Sequence, residues 1–172
     1  MNKLNHVAFI MDGNGRWGIK KKNNRNYGHL KGVETVRKII KTSIQLKIPI
    51  VSFYVFSSEN WVRPKKEINY LFKLIRTYFL KEQKNTIKEG IKIKILGEIN
   101  KLPKEIKNTL KSTSEMTRRN KKILVNLAIN YGSKNEILSA FKNIKKKGSL
   151  KNFEKYLYTK NISDPDILIR TG

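Results

Sequence analysis

Five short apolar runs recur along this chain of 172 residues, and stretches with helical periodicity separate them. Runs of this length that alternate with helical patterns are typical of βαβ units, in which parallel strands form one sheet and helices cover its faces. The predicted strands are Val7–Met11, Ile50–Phe56, Ile91–Leu96, Ile123–Ile129 and Ile167–Ile169. Because no linker, repeat or low-complexity segment interrupts the alternation, we predict a single α/β domain over residues 1–172 with a mainly parallel central sheet.

The first predicted strand ends in a segment that suits an anion or a metal ion. Asp12 follows the strand directly, which places its carboxylate at the carboxyl edge of the sheet, where open α/β sheets bind ligands. A carboxylate oxygen suits Mg²⁺. Gly13 and Gly15 let backbone N–H groups approach a phosphate closely, and Arg16 adds a cationic fork. An ordinary strand-to-helix turn is the alternative, but such a turn needs no asparagine, arginine or tryptophan beside its glycines.

The second predicted strand repeats this arrangement. Two hydroxyls, a carboxylate, a carboxamide and an indole follow it in the segment Ser57–Trp61, and Arg63 comes next. Such polar groups are costly in a structural turn unless they have partners. A structural turn is possible here, but we interpret the segment as part of a site.

A charged segment and a histidine precede the first long predicted helix, which runs from Leu30 to about Lys47. Lys20–Arg25 is predicted as a polar loop, either a lid over a phosphate site or a solvated connection. His29 would stand just before the helix, near its positive end, where it could donate to an anion.

Four later helices are predicted from the sequence, one of which opens at Pro103 and carries Ile106 and Leu110. The longest covers Pro64–Glu89, and its apolar stripe indicates core packing. A helix after Ser133 should turn Ile137, Phe141 and Ile144 inward, and a short helix is predicted over 149–159.

Composition excludes several classes of site. The chain has no cysteine and two histidines, which excludes a disulfide framework, a thiol nucleophile and a histidine-rich metal site. No apolar run approaches the ~20 residues of a membrane span, and the first is too short for a signal peptide, so we expect a cytoplasmic protein. The net charge of +25 could indicate nucleic-acid binding. Because the basic residues are spread over the whole chain, we favour a generally basic surface that attracts anionic substrates and lipids.

Four motifs occur in the order found in the cis-prenyltransferases, and the chain resembles that family from end to end. They are Met11–Trp17, Gly28–Gly32, Phe56–Pro64 and Asp166–Gly172, the last of which matches the start of a longer family motif. The resemblance implies the cis-prenyltransferase fold, in which the long helix lines a hydrophobic tunnel. It also implies an Mg²⁺-dependent condensation of isopentenyl diphosphate with an allylic diphosphate, for which farnesyl diphosphate would be the primer.

The resemblance further implies a role for each motif. Asp12 would act through Mg²⁺ on the leaving diphosphate, which the backbone amides of Gly13–Arg16 and the side chains of Arg25 and His29 would also contact. Asp12 and Asn60 are the predicted catalytic residues. Asn60 would orient groups while a diphosphate oxygen takes the proton, because a carboxamide is a poor base.

The other substrate, isopentenyl diphosphate, would be held by Arg170, with Ser57 and Arg63, and the two tryptophans would shape the allylic pocket. The predicted substrate-binding residues are Gly13, Asn14, Gly15, Arg16, Trp17, Arg25, His29, Ser57, Ser58, Glu59, Trp61, Arg63 and Arg170.

The chain departs from the family pattern at two places. Gly18 replaces the usual alanine and should loosen a helix start. The family continues past Arg170-Thr-Gly with a further basic and serine cluster, a metal-contacting glutamate and more structure, so we expect a domain that lacks its last strand. The alternatives are therefore a non-catalytic or inactive prenyltransferase subunit and, from the charge alone, a nucleic-acid-binding protein.

The expected product is a long polyprenyl diphosphate, the precursor of the lipid carrier for cell-wall synthesis. A homodimer with peripheral membrane contact for product release is expected from the family.

Overall fold

The computed structural model describes residues 4–147 and 150–172, and these residues form the predicted sheet. Its strands are β1 (His6–Ile10), β2 (Ile50–Ser57), β3 (Ile91–Leu96), β4 (Ile123–Tyr131) and β5 (Ile167–Arg170). The order is β3-β4-β2-β1-β5, and every pairing is parallel. The predicted α/β domain is confirmed, with strand ends shifted by one or two residues. All strands therefore direct their carboxyl ends to the same edge.

Helices connect the strands and cover the sheet. They are α1 (Asn14–Lys22), α2 (Arg25–Gln45), α3 (Lys65–Lys88), α4 (Lys104–Met116) and α5 (Ser133–Lys147). Short 3₁₀ helices cover Ser58–Val62, Ile99–Lys101 and Leu150–Tyr156. The last of these replaces the short helix predicted over 149–159, of which residue 149 lies outside the described residues. Among the helices of the described ranges, none combines the length and apolar character needed to cross a membrane.

The core lies between the sheet and α2, α3 and α4. Phe53 and Val125 are fully buried at the centre of β2 and β4, and Phe53 stacks on Phe9 with 5.3 Å between ring centroids. From α3, the side chains of Phe72 and Phe79 are buried at the spacing that the sequence predicts. Full burial of such side chains stabilises the fold by about 1.5–3 kcal/mol each.

The predicted loop at Lys20–Arg25 is mostly helical, and its prediction is wrong. Lys20–Lys22 form the last turn of α1, and Arg25 begins α2. The connection between α1 and α2 is short because one asparagine caps the end of α1 and the next caps the start of α2. Asn23 adopts the left-handed conformation with φ 48° after α1, and the Asn24 side chain accepts hydrogen bonds from two backbone N–H groups of α2.

Close packing of α1 against α2 requires glycine at the crossing. A Cβ on Gly28 would clash with the carbonyl oxygen of Asn14. At Gly18 it would lie 2.5 Å from the carbonyl oxygen of Asn24. Gly18 therefore lies in the middle of α1 and permits close approach, whereas the sequence suggested a loosened helix start.

Helix α5 buries a different face from the predicted one. Ile144 is buried as expected, whereas Ile137 and Phe141 are 52% and 43% exposed. The buried face carries Glu136, whose carboxylate accepts a hydrogen bond of 2.7 Å from the Tyr131 hydroxyl. This polar contact at the end of β4 fixes the rotation of α5, and apolar periodicity alone could not reveal it.

Polar contacts attach β5 to β1 and thereby bring the end of the chain to the ligand-binding edge. The Asp166 carboxylate accepts from the backbone N–H groups of Asn5 and His6 at 2.6 and 2.8 Å. The His6 ring joins the carbonyl of Ser163 to the hydroxyl of Ser52 through contacts of 2.6 and 2.7 Å. β5 pairs with β1 up to Ile10–Arg170, which places Arg170 beside the end of β1.

Candidate functional site

The turn after β1 presents a carboxylate and backbone N–H groups together. Gly13 adopts the left-handed conformation with φ 82°, which lets the chain turn directly into α1. Its N–H donates to the Asp12 carboxylate at 2.6 Å. The first intrahelical bond runs from the N–H of Trp17 to the carbonyl of Gly13, so the N–H groups of Asn14–Arg16 have no helical partner. This geometry suits an anion at the start of α1.

Asp12 lies between two arginines from different elements. Its carboxylate accepts from Arg170 at 3.0 Å and lies 3.7 Å from the Arg16 guanidinium. The hydrogen bond from Arg170, the one from the Gly13 N–H and the charge of Arg16 together hold the pKa of Asp12 below its ordinary value. Asp12 is therefore ionised at neutral pH and, at 41% side-chain exposure, accessible to a ligand.

Glu67 organises three side chains at the start of α3. It is 9% exposed, and it accepts from Arg25 at 3.1 Å, from His29 at 3.1 Å and from Arg63 at 3.4 Å. Burial alone would raise the pKa of Glu67, but the hydrogen bonds from Arg25 and His29 outweigh it and lower the pKa. Sequence reasoning missed Glu67, although its position four residues after Arg63 in a first helical turn was a signal.

His29 does not stand before a helix, as predicted, but lies inside α2. Burial lowers its pKa against the opposing effect of Glu67, so the ring is neutral at neutral pH. Since a carboxylate can only accept a hydrogen bond, Nε2 of His29 carries the ring proton and donates the hydrogen bond to Glu67. His29 is therefore a neutral donor already engaged by Glu67.

The segment after β2 is folded by its own polar side chains. Ser57 Oγ accepts from the N–H of Glu59 at 3.2 Å, and the Asn60 side-chain oxygen accepts from the N–H of Ser57 at 3.0 Å. This capping box engages the side-chain oxygen of Asn60, and Asn60 lines the cavity described next. The Trp61 side chain turns away from this cavity, and its indole N–H donates a hydrogen bond of 2.8 Å to the side-chain oxygen of Asn130.

One cavity of about 530 Å³ connects these groups with the apolar core. Its mouth carries Asp12, Arg25 and Arg170, and it continues between the sheet and the helices α2 and α3. Aliphatic and aromatic side chains line the middle: Val33, Val36, Ile40, Leu71, Ile75, Phe79, Val125, Leu127 and Ile129. The volume is in the range of small-molecule sites, and the arrangement suits a ligand with an anionic head and an apolar tail.

All predicted site residues except Trp17, Ser58 and Trp61 line this cavity. Trp17 stacks on Tyr27, with 5.7 Å between centroids, and borders a neighbouring cavity of about 650 Å³. Trp61 packs against Phe56 and Asn130, and Ser58 lies beside Gly132. Neither indole lines this cavity, and their role in shaping the allylic pocket stays a prediction.

Comparison with known proteins decides the family. A family model described as "Putative undecaprenyl diphosphate synthase" matches residues 10–172. The isoprenyl transferase of Oceanobacillus iheyensis is 38% identical over 99% of this chain and 72% of its own length. The chain belongs to the isoprenyl transferase family. The predicted resemblance to the cis-prenyltransferases is thereby confirmed.

Other family members agree in sequence and in structure. The isoprenyl transferase of Clostridium tetani is 41% identical over 96% of this chain and 69% of its own length. The crystal structure of a probable undecaprenyl diphosphate synthase from Campylobacter jejuni has a TM-score of 0.80 at 28% identity, covering 99% of this chain and 76% of its own. The crystal structure of lavandulyl diphosphate synthase from Lavandula x intermedia, in complex with dimethylallyl diphosphate, has a TM-score of 0.90 at 27% identity. The match covers 97% of this chain and 77% of that chain.

Proposed function

We propose that this isoprenyl transferase condenses isopentenyl diphosphate with an allylic diphosphate, farnesyl diphosphate being the primer, and forms each new double bond in cis. The product is a long polyprenyl diphosphate that serves as precursor of the lipid carrier for cell-wall synthesis. The observation that carries the proposal is the 530 Å³ cavity, which joins a charged mouth to an apolar interior. A prenyl diphosphate has the same division into an anionic head and an apolar tail.

The diphosphate of the allylic substrate binds at the start of α1. The unpaired N–H groups of Asn14–Arg16 and the guanidinium groups of Arg16 and Arg25 face the cavity mouth. When the carbon–oxygen bond of the allylic diphosphate breaks, negative charge develops on the departing group. Fixed donors and cations at this point stabilise that charge without having to reorganise.

Isopentenyl diphosphate binds next to it, between Arg170, Ser57 and Arg63. Arg170 reaches this place because β5 pairs with β1, and its guanidinium lies 3.0 Å from the Asp12 carboxylate. The proximity of the two diphosphate sites aligns the double bond of isopentenyl diphosphate with the allylic carbon that loses its diphosphate.

The reaction is balanced by loss of one proton from the new chain. A carbon–carbon bond forms as the allylic carbon–oxygen bond breaks, and the proton then leaves as the new double bond forms. The NH₂ of Asn60, whose oxygen is fixed by the N–H of Ser57, orients the substrates. A diphosphate oxygen accepts the proton, since a carboxamide is a poor base.

Mg²⁺ is part of the proposal, with Asp12 as its protein ligand. Mg²⁺ in phosphate sites commonly takes one or two carboxylates and completes its shell with phosphate oxygens and water. The accessible, ionised carboxylate of Asp12 at the mouth fits that donor set. When bound, the ion would neutralise charge on the diphosphate.

We further propose a cytoplasmic homodimer that contacts the inner face of the membrane peripherally. The net charge of +25 supports attraction to an anionic leaflet.

The test uses the 172-residue chain with farnesyl diphosphate, labelled isopentenyl diphosphate and Mg²⁺. We expect label in a long butanol-extractable product, loss of the label in Asp12→Ala, and retention in the matched control Asp164→Ala, whose residue is exposed outside the site. Absence of incorporation by the parent chain would contradict the proposal and favour a non-catalytic subunit.

A further inference from the structure

A bulge at the end of β4 redirects one buried side chain. Ile129 and Tyr131 pair with consecutive residues of β2, so Asn130 between them is left out of the pairing. Asn130 also adopts the left-handed conformation with φ 50°, which is uncommon for a residue with a side chain. Bulges beside functional sites commonly aim a side chain at a particular target. The partners of the Asn130 side chain therefore show what this bulge does.

The side-chain amide of Asn130 is bonded at both ends. Asn130 is 5% exposed, and its side-chain oxygen accepts the indole N–H of Trp61 at 2.8 Å. Its NH₂ group donates to the backbone carbonyl of Glu98 at 2.8 Å. Because an indole N–H can only donate and a carbonyl can only accept, the two partners fix the orientation of the amide. Asn130 thus joins the end of β4, the turn after β3 and the 3₁₀ helix Ser58–Val62.

The turn after β3 holds Asn130 in place. The N–H of Glu98 donates to the backbone carbonyl of Asn130 at 3.2 Å, so the main chain and the side chain of Asn130 both bind Glu98. Gly97 permits this approach, because it has φ 126° and a Cβ there would clash with the carbonyl oxygen of Ile129. The acceptor that Asn130 presents to Trp61 therefore has a fixed position relative to the sheet.

The 3₁₀ helix Ser58–Val62 depends on this acceptor for its placement. Its first turn is shaped by the capping box described above. Near its end, Trp61 packs against the rings of Phe56 and Phe72 at centroid distances of 5.4 and 5.7 Å and remains 40% exposed. Ring contacts of this kind occur over a range of about 4.5–7 Å, whereas a hydrogen bond fixes its two atoms much more narrowly. The hydrogen bond to Asn130 therefore defines where the helix ends.

We propose that Asn130 is a positioning residue for the reaction, because its hydrogen bond with Trp61 fixes the place of the adjacent Asn60 side chain in the cavity. The inference rests on the proposed function, in which Asn60 orients the two substrates. Asn60 lines the 530 Å³ cavity, whereas Asn130 is not one of its lining residues. Asn130 therefore acts through the 3₁₀ helix. Loss of its hydrogen bond would let Asn60 move, and a displacement of about 1 Å can lower a rate about a hundredfold.

The decisive experiment removes the hydrogen bond from each side. Asn130→Gly removes the amide, and glycine adopts the left-handed conformation without strain, so the backbone should keep its course. Trp61→Phe removes the indole N–H and retains an aromatic ring against its neighbours. The matched control is Asn161→Gly, the same substitution at an exposed asparagine with φ 61° that lies outside the cavity lining.

In both variants kcat should fall about tenfold to a hundredfold, while the KM values of the two diphosphates change much less. The double variant Asn130→Gly/Trp61→Phe should be no slower than Trp61→Phe, since both substitutions remove the same hydrogen bond. In an Asn60→Ala background, Asn130→Gly should leave the remaining kcat unchanged. A merely structural role of Asn130 would not make its effect on kcat depend on Asn60.

Fluorescence measures the contact without turnover. In a Trp17→Phe background Trp61 is the only tryptophan of the chain. The fluorescence anisotropy of Trp61 should fall when Asn130→Gly is added and should stay unchanged when Asn161→Gly is added.

Equal kcat values in Asn130→Gly and Asn161→Gly would overturn the inference and leave the proposed function intact. A further loss of kcat on adding Asn130→Gly to Asn60→Ala would overturn it as well. Absence of product from the parent chain would overturn both the inference and the proposed function, so the failures are distinguishable. If Asn130→Gly does not fold, Trp61→Phe, alone and in the Asn60→Ala background, decides the question by the same two comparisons.

Discussion

Glu67 should be a positioning residue on which the arrangement of the cavity mouth depends. The perturbation is Glu67→Gln, which keeps the shape of the side chain and removes its charge. The carboxylate is 9% exposed, whereas its partners Arg25 and Arg63 are 45% and 34% exposed. Because water screens the two arginines, we assign about 0.5 kcal/mol to each of their contacts. The buried bond with His29 is worth about 1.5 kcal/mol.

The expected loss of unfolding free energy for Glu67→Gln is therefore about 2–3 kcal/mol, measured by urea denaturation. Arg25 and Arg63 should also lose their fixed positions, so kcat/KM should fall about tenfold to a hundredfold, at about 1.4 kcal/mol of barrier for each factor of ten. The control is Glu105→Gln, whose residue is 76% exposed in its pair with Arg76. If Glu67→Gln were as stable and as active as Glu105→Gln, the organising role of Glu67 would be refuted.

The remaining predictions concern pH, helix packing and the core. Burial holds the pKa of His29 below its ordinary 6.5, so the folded state binds fewer protons than the unfolded state and stability falls as the pH falls below about 6.5. His29→Gln should flatten this dependence below about pH 6.5, and an unchanged pH profile of unfolding would contradict it. Gly28→Ala should lower the free energy of unfolding by about 1–3 kcal/mol, because the Cβ of the alanine would clash with the Asn14 carbonyl. An unchanged free energy of unfolding would show that α1 and α2 can separate freely. Phe72→Ala should lower the free energy of unfolding by about 3–5 kcal/mol, measured by thermal or urea unfolding. Leu80 is 53% exposed on the same helix, so Leu80→Ala should lower this free energy much less. Equal losses would refute the assignment of the core face.

The sheet could be predicted because its information is local. Each strand is a short β-branched or aromatic run bounded by turn residues, and the alternation with helices fixes a parallel arrangement. The polar residues Asp12 and Ser57 follow such runs directly, so their convergence at one edge also followed from the sequence. The structure confirms this convergence, since both line the same cavity.

Other features depend on contacts between distant parts of the chain. His29 belongs to α2 because the side chain of Asn24 starts that helix earlier than apolar periodicity indicates. The rotation of α5 is set by the contact of Glu136 with Tyr131. The role of Glu67 requires residues from α2 and α3 to meet. Patterns within a single segment carry no information about such pairings.

The most direct test of the central claim is a crystal structure of the chain with farnesyl thiodiphosphate, in which sulfur replaces the bridging oxygen and slows departure of the diphosphate. We predict diphosphate oxygens within hydrogen-bond distance of the N–H groups of Asn14–Arg16 or of the Arg25 guanidinium, and a farnesyl tail between α2 and α3 among the apolar side chains that line the cavity. A ligand bound in the neighbouring cavity beside Trp17, or a farnesyl tail lying outside the cavity between the two helices, would contradict the account.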